Sequence, residues 1–132
     1  MKADGNNGKK VLIVDDDIDF IEANKALLED AGYNVTYALN GEDGLKAALN
    51  DRPNLIVLDV MMTTMGEGFD VARELRKNPD TKKIPLIMLT AINQKSGFPW
   101  KYDSDETWVP VDIFLEKPLK AGDLLQNVQR LL

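Results

Sequence analysis

Five short runs, each almost wholly apolar, recur along the chain at residues 11–14, 35–38, 55–58, 84–89 and 112–115. Runs of this length without polar alternation suit strands covered on both faces, as in a parallel sheet, rather than strands with one wet side. Between them the apolar spacing changes to that of helices. Phe20, Ile21, Leu27, Leu28 and Ala31 predict a first helix that Gly32 stops, since glycine tolerates the positive φ of a helix C-terminus. Asn40 is placed to cap a second helix, about residues 41–50, that turns Leu45, Ala48 and Leu49 inward. Phe69, Ala72 and Leu75 mark a third helix, ended near Asn78 and Pro79, and Leu124, Leu125, Val128, Leu131 and Leu132 share one face of a last helix. Strands alternating with helices predict an α/β fold, a doubly wound five-stranded parallel sheet with right-handed crossovers and helices on both sides.

One stretch breaks the alternation. Residues 92–111 carry Gly97, Pro99 and Pro110 and no clean apolar period, which predicts an irregular or shortened fourth helix. The same stretch holds Phe98, Trp100, Tyr102 and Trp108, four of the nine aromatic residues, where a solvated loop would have few.

With 132 residues and 44% apolar content the chain has material for one core, so a single domain is expected over residues 10–132, without an output domain and with a mobile tail at 1–9. The absence of Cys and His excludes disulfides, thiolate or imidazole metal ligands and a phosphohistidine on this chain. A net charge of −6 opposes nucleic-acid binding, which relies on Lys and Arg displacing counterions. The longest nearly apolar stretch, 55–62, is broken by Asp59 and falls far short of the roughly 20 residues that span a bilayer. The polar start lacks the apolar run of a signal peptide, so a cytoplasmic protein without membrane contact is expected.

Ligands of doubly wound sheets sit beyond the carboxyl ends of the strands. The polar residues there are Asp15, Asp16 and Asp17 after the first strand, Asp59 after the third, Thr90 after the fourth and Lys117 after the fifth. Carboxylates that converge repel one another unless a cation joins them, and all-oxygen ligation suits Mg²⁺, with Mn²⁺ able to substitute. Such a site can hold a phosphoryl group whose oxygens also meet Lys117 and Thr90. Plainer roles stand beside these. Asp17 is read as the N-cap of the first helix, and Asp15 and Asp16 exceed what capping requires. Taken singly, Asp59 is a solvated strand end, Thr90 a capping hydroxyl and Lys117 a snorkelling surface amine.

The runs VLIVDDD, LIVLDVMM, IPLIMLTA and EKP, in this order, resemble those of bacterial response-regulator receiver domains, stand-alone and chemotaxis-regulator-like, over nearly the whole chain. The resemblance implies a flavodoxin-like strand order 2-1-3-4-5. It makes Asp59 the phosphoacceptor, Asp15 and Asp16 the acidic pair for the metal together with Asp59, and Met61 a ligand through its backbone carbonyl. Thr90 and Lys117 would contact phosphoryl oxygens, Phe114 would repack as a switch when Thr90 moves, and the Lys117–Pro118 bond would be cis. The implied partners are a sensor histidine kinase or histidine phosphotransfer protein and a downstream protein target.

Two stretches depart from that pattern. Thr63 stands where the family has proline, in a loop longer than usual, and the segment between Thr90 and Lys117 is longer and lacks the usual Gly-Ala turn. Its aromatics either fold back over the sheet or form a docking surface with Trp100, Tyr102 and Trp108. The latter underlies an alternative function, a phosphorylation-independent binding module using residues 98–108. A third reading, a phosphatase of the haloacid-dehalogenase class using Asp15 and Asp17, is opposed by Asp19, which stands where that motif has Thr or Val.

Overall fold

Branched and aliphatic side chains on both faces of three central strands give the chain its core. The computed structural model describes residues 8–60, 67–90 and 111–132. Its elements are β1 Lys10–Val14, α1 Ile18–Asp30, β2 Asn34–Ala38, α2 Gly41–Asp51, β3 Leu55–Asp59, α3 Glu67–Lys77, β4 Leu86–Thr90, β5 Ile113–Glu116 and α4 Asp123–Leu131. The strands form one sheet in the order β2-β1-β3-β4-β5, and every pairing is parallel. The expected irregular fourth helix, at residues 92–111, lies outside the described residues except for Val111, as do Met61, Thr63, Phe98, Trp100, Tyr102 and Trp108.

Side chains of successive strand residues point to opposite faces, so each strand feeds two cores. Leu12, Val14, Ile56, Leu58, Leu86 and Met88 pack with Ala48 of α2 and Phe69, Ala72 and Leu75 of α3. Their neighbours Val11, Ile13, Leu55, Val57, Ile87 and Leu89 pack with Ile21 and Leu28 of α1 and Leu124 and Val128 of α4. β3 and β4 are buried along their whole length. That double burial is why their sequences carry no alternation.

Element ends differ from the sequence expectation for local reasons. β4 begins at Leu86 rather than Ile84, because Pro85 has no N–H to give and serves the sheet only by accepting from the Ile56 N–H at 3.0 Å. β4 and β5 run on to Thr90 and Glu116, polar residues that close each strand at its carboxyl end. Asp112 stands just outside β5, and its carboxylate accepts the Leu86 N–H at 2.8 Å. Leu27 is 38% exposed rather than core, since Ile21 and Leu28, two turns apart, carry the inward stripe of α1 and Leu27 is rotated off it.

The amino-terminal edge of the sheet is closed by Arg76. Its Nη1 donates to the carbonyls of Lys82 at 2.8 Å and Ile84 at 2.7 Å, and its Nη2 donates to Asp112 Oδ2 at 3.3 Å. One guanidinium thus ties the end of α3, the approach to β4 and the start of β5. Burial lowers the Arg76 pKa from its usual value, partly offset by the charge and hydrogen bond of Asp112.

Candidate functional site

Four of the strand ends deliver the polar residues that the sequence places there. Asp15 directly follows β1, its N–H donating to the Ala38 carbonyl at 3.1 Å, and its side chain is completely buried. A buried carboxylate needs partners for both oxygens. Oδ1 accepts the Asp17 N–H at 2.9 Å and Oδ2 accepts from Lys117 Nζ at 2.9 Å. Asp59 closes β3 and is 5% exposed, while Asp16 faces solvent. Carboxylate oxygens of Asp15, Asp16 and Asp59 lie within 4.8 Å of one another.

Lys117 bridges the cluster. Its Nζ stands 3.6 Å from Asp59 Oδ2 as well as bonding Asp15, and its N–H donates to the Thr90 carbonyl at 2.7 Å, extending the β4–β5 ladder by one bond. Burial pulls the Lys117 pKa down, but the hydrogen bond and charge of Asp15, then the charges of Asp59 and Asp17, outweigh it and the net shift is upward. The side chain is therefore a fixed ammonium at neutral pH. The Lys117–Pro118 bond is cis, as the resemblance implies.

Thr90 ends β4, buried, one residue beyond Leu89, which pairs with Asp59. Phe114 pairs with Met88 and packs with the α2/α3 core, so it shares a sheet face with Thr90, two residues away in register. Asp17 caps α1, its Oδ1 accepting the N–H groups of Asp19 at 3.1 Å and Phe20 at 3.2 Å. Asn40 caps α2 in the same way, accepting from the Asp43 N–H at 2.8 Å. Met61 and the residues Trp100, Tyr102 and Trp108 are not among the described residues, so the structure brings together Asp15, Asp16, Asp59, Thr90 and Lys117.

Two residues at this site are not among the site candidates that the sequence offers. Gly68 lets α3 start against the end of β3, because a Cβ there would strike the Asp59 carbonyl oxygen and lie 2.8 Å from Val60 Cα, and its N–H donates to the Val60 carbonyl at 3.0 Å. Phe20 lies under Lys117, with Nζ 4.6 Å from the ring centroid. The long separations in sequence hid both, although a glycine at the first turn of a helix is itself a signal of close approach.

The donor set fits a hard divalent cation. Asp15 and Asp59 are buried and share the Lys117 ammonium, and the exposed Asp16 carboxylate is within reach of both. Oxygen-only ligation with one exposed member leaves room for water, as Mg²⁺ prefers.

A parallel doubly wound sheet with an acidic cluster and a lysine at its carboxyl edge defines a flavodoxin-like α/β module with a candidate cation site. The chain belongs to the response regulator receiver domain family, whose model matches residues 11–129. It is 36% identical over 123 residues to the DNA-binding dual master transcriptional regulator RpaA of Synechocystis sp., covering 93% of this chain and 48% of that protein, so the chain spans about half the length of that relative. Among solved structures it is similar to the chemotaxis response regulator CheY4 of Vibrio cholerae, with a TM-score of 0.81, 33% identity, and coverage of 96% of this chain and 100% of that one. It is also similar to the receiver domain of a Pseudomonas aeruginosa sensor histidine kinase that holds a magnesium ion in its active site cleft, with a TM-score of 0.74, 26% identity, and coverage of 93% and 96%. Among the described residues no helix is long and apolar enough to cross a membrane.

Proposed function

We propose that the chain is a cytoplasmic phosphoacceptor of a two-component phosphorelay, taking a phosphoryl group from a partner phosphohistidine onto Asp59. The observation that carries this reading is the buried Asp59 carboxylate, sharing the Lys117 ammonium with Asp15 inside a three-carboxylate cluster. An Asp59 oxygen attacks phosphorus in line, an O–P bond forms as the N–P bond breaks, and the electron pair leaves with the partner imidazole. Lys117, already positioned between two carboxylates, meets the negative charge spread over the phosphoryl oxygens, and the Thr90 hydroxyl donates to another of them. Asp15, Asp16, Asp59 and the Met61 carbonyl would hold Mg²⁺ or Mn²⁺, which when bound neutralises phosphoryl charge. The acyl phosphate is then lost by hydrolysis, so the protein cycles as a signal and does not turn over a substrate as an ordinary enzyme does.

Phe114, on the face of Thr90, would repack when that threonine is drawn to the phosphoryl group, altering the surface offered to a downstream protein. A sensor kinase or histidine phosphotransfer protein is the donor in this scheme. The alternative of a constitutive docking module through residues 98–108 is not favoured, because the acidic set and its lysine are complete.

The test is incubation with Mg²⁺ and acetyl phosphate, followed by intact mass, comparing the native chain with Asp59→Asn. The expected result is an added phosphoryl mass, labile in alkali, on the native chain and none on the variant. An equal adduct on the variant, or no adduct on a native chain that also fails to bind Mg²⁺, would overturn the proposal.

A further inference from the structure

The Lys117 ammonium is held from three directions, and two of them are the carboxylates already described. Asp15 Oδ2 lies at 2.9 Å and Asp59 Oδ2 at 3.6 Å, and the third side is the face of Phe20, 4.6 Å from Nζ to the ring centroid. A cation within about 6 Å of an aromatic centroid is attracted by the negative face of the ring, and more strongly where water is displaced. Water is largely displaced here, since the Lys117 side chain is only 20% exposed.

The ring is itself fixed through the site. Asp15 Oδ1 accepts the Asp17 N–H, Asp17 Oδ1 accepts the Phe20 N–H, the Phe20 ring faces Lys117 Nζ, and Nζ returns to Asp15 Oδ2. These contacts close a circuit through the helix cap. Its effect is to tie the orientation of the lysine to the same carboxylate that belongs to the metal cluster. A flexible four-carbon stem has many rotamers, and an ammonium pulled by two carboxylates alone could follow either one. The ring opposes that displacement without competing for the acceptor oxygens, because it offers no hydrogen-bond donor.

We propose that Phe20 is a positioning residue for phosphoryl transfer, its ring face holding the Lys117 ammonium in the line between Asp59 and the incoming phosphoryl oxygens. The role rests on the phosphoacceptor reading above. It reaches beyond packing, because the stabilisation depends on the charge distribution of the ring as well as its volume.

Replacing Phe20 by mono-, tri- and pentafluorophenylalanine keeps the shape of the ring and progressively removes its negative face. Phosphorylation of Asp59 by acetyl phosphate is then measured at saturating Mg²⁺, with thermal unfolding and the ring-current shift of the Lys117 methylene protons in the metal-free protein measured alongside. The expected result is a stepwise fall in rate reaching about five- to tenfold at full fluorination, roughly the range of a partly desolvated cation–π contact. Unfolding stays cooperative through the series, its midpoint falling by no more than the few degrees that loss of one such contact brings. In a Lys117→Met background the same series has no effect on the residual rate, and in Phe20→Leu the ring-current shift disappears. A flat series on a native chain that does take phosphate, or an equal fall in the Lys117→Met background, overturns the role of Phe20 alone. No adduct on the native chain at all overturns the phosphoacceptor reading and this role with it, so the two failures are told apart.

Discussion

The two edges of the sheet use the same ingredients to opposite ends. At the amino-terminal edge, the guanidinium of Arg76 meets one carboxylate and two carbonyls, and the same Asp112 oxygen that it meets also accepts the Leu86 N–H. The charges there are matched. At the carboxyl-terminal edge, the Lys117 ammonium meets Asp15 and Asp59, the Asp16 carboxylate lies beside them, and Asp15 is wholly buried. Carboxylates gathered around one ammonium repel one another, so that edge carries an electrostatic load that the first edge lacks. The difference separates residues that hold the sheet together from residues whose donor set fits a cation.

Each prediction presses on that contrast. The largest effect belongs to Lys117→Met, which should slow phosphorylation of Asp59 roughly 10²- to 10³-fold, the usual loss when one donor to developing negative charge is removed. The rate from acetyl phosphate measures it, and a rate near native would place the lysine in the structural group with Arg76. Next is Mg²⁺ itself. At about 100 times its dissociation constant it should raise the unfolding free energy by about 2.7 kcal/mol, as for any ligand of the native state alone, with a smaller gain for Asp16→Asn at the same concentration. Calorimetry across a Mg²⁺ series gives both numbers, and equal gains would remove Asp16 from the ligand set. The smallest effect is that of Arg76→Met, about 2 kcal/mol of lost stability from several charge-assisted hydrogen bonds, with the phosphorylation rate and the Mg²⁺ response as in the native chain. Urea unfolding with and without Mg²⁺ would show a coupling between the edges if that independence fails.

The carboxyl-terminal edge was far more legible in the sequence than the other. Asp15, Asp16, Asp59, Thr90 and Lys117 each terminate an apolar run, so the strand pattern that predicts the fold also predicts where these side chains gather. The strand order itself came from resemblance, since apolar runs say which segments are strands and nothing about which are neighbours. Arg76 and Asp112 lie in separate segments, one inside a polar helix face and one read as the first residue of a strand, and no local pattern joins them. Phe20 was read as one of several apolar residues at helical spacing, which it is. Its second use, as the floor beneath an ammonium, exists only once α1 and the end of β5 are brought together. Gly68 was hidden for the same reason, as the contact that forbids a side chain there is with the backbone of β3. Leu27 was misread because spacing identifies a stripe, and its width depends on how α1 is rotated against the sheet and α4.

The anchoring of β5 has one more consequence. Its first residues are fixed by the Asp112 N–H to the Leu86 carbonyl at 3.0 Å and by the Arg76 clamp, and just past its end the Lys117 N–H is fixed to the Thr90 carbonyl. The register of β5, and with it the placement of Lys117, is thus set independently of how many residues run between β4 and β5. Lengthening a closed loop adds only about 0.6 kcal/mol per doubling. The sheet therefore works as a socket: sequences of different length can be exchanged between Thr90 and Asp112, while the acidic cluster and Lys117 at the neighbouring strand ends keep their geometry.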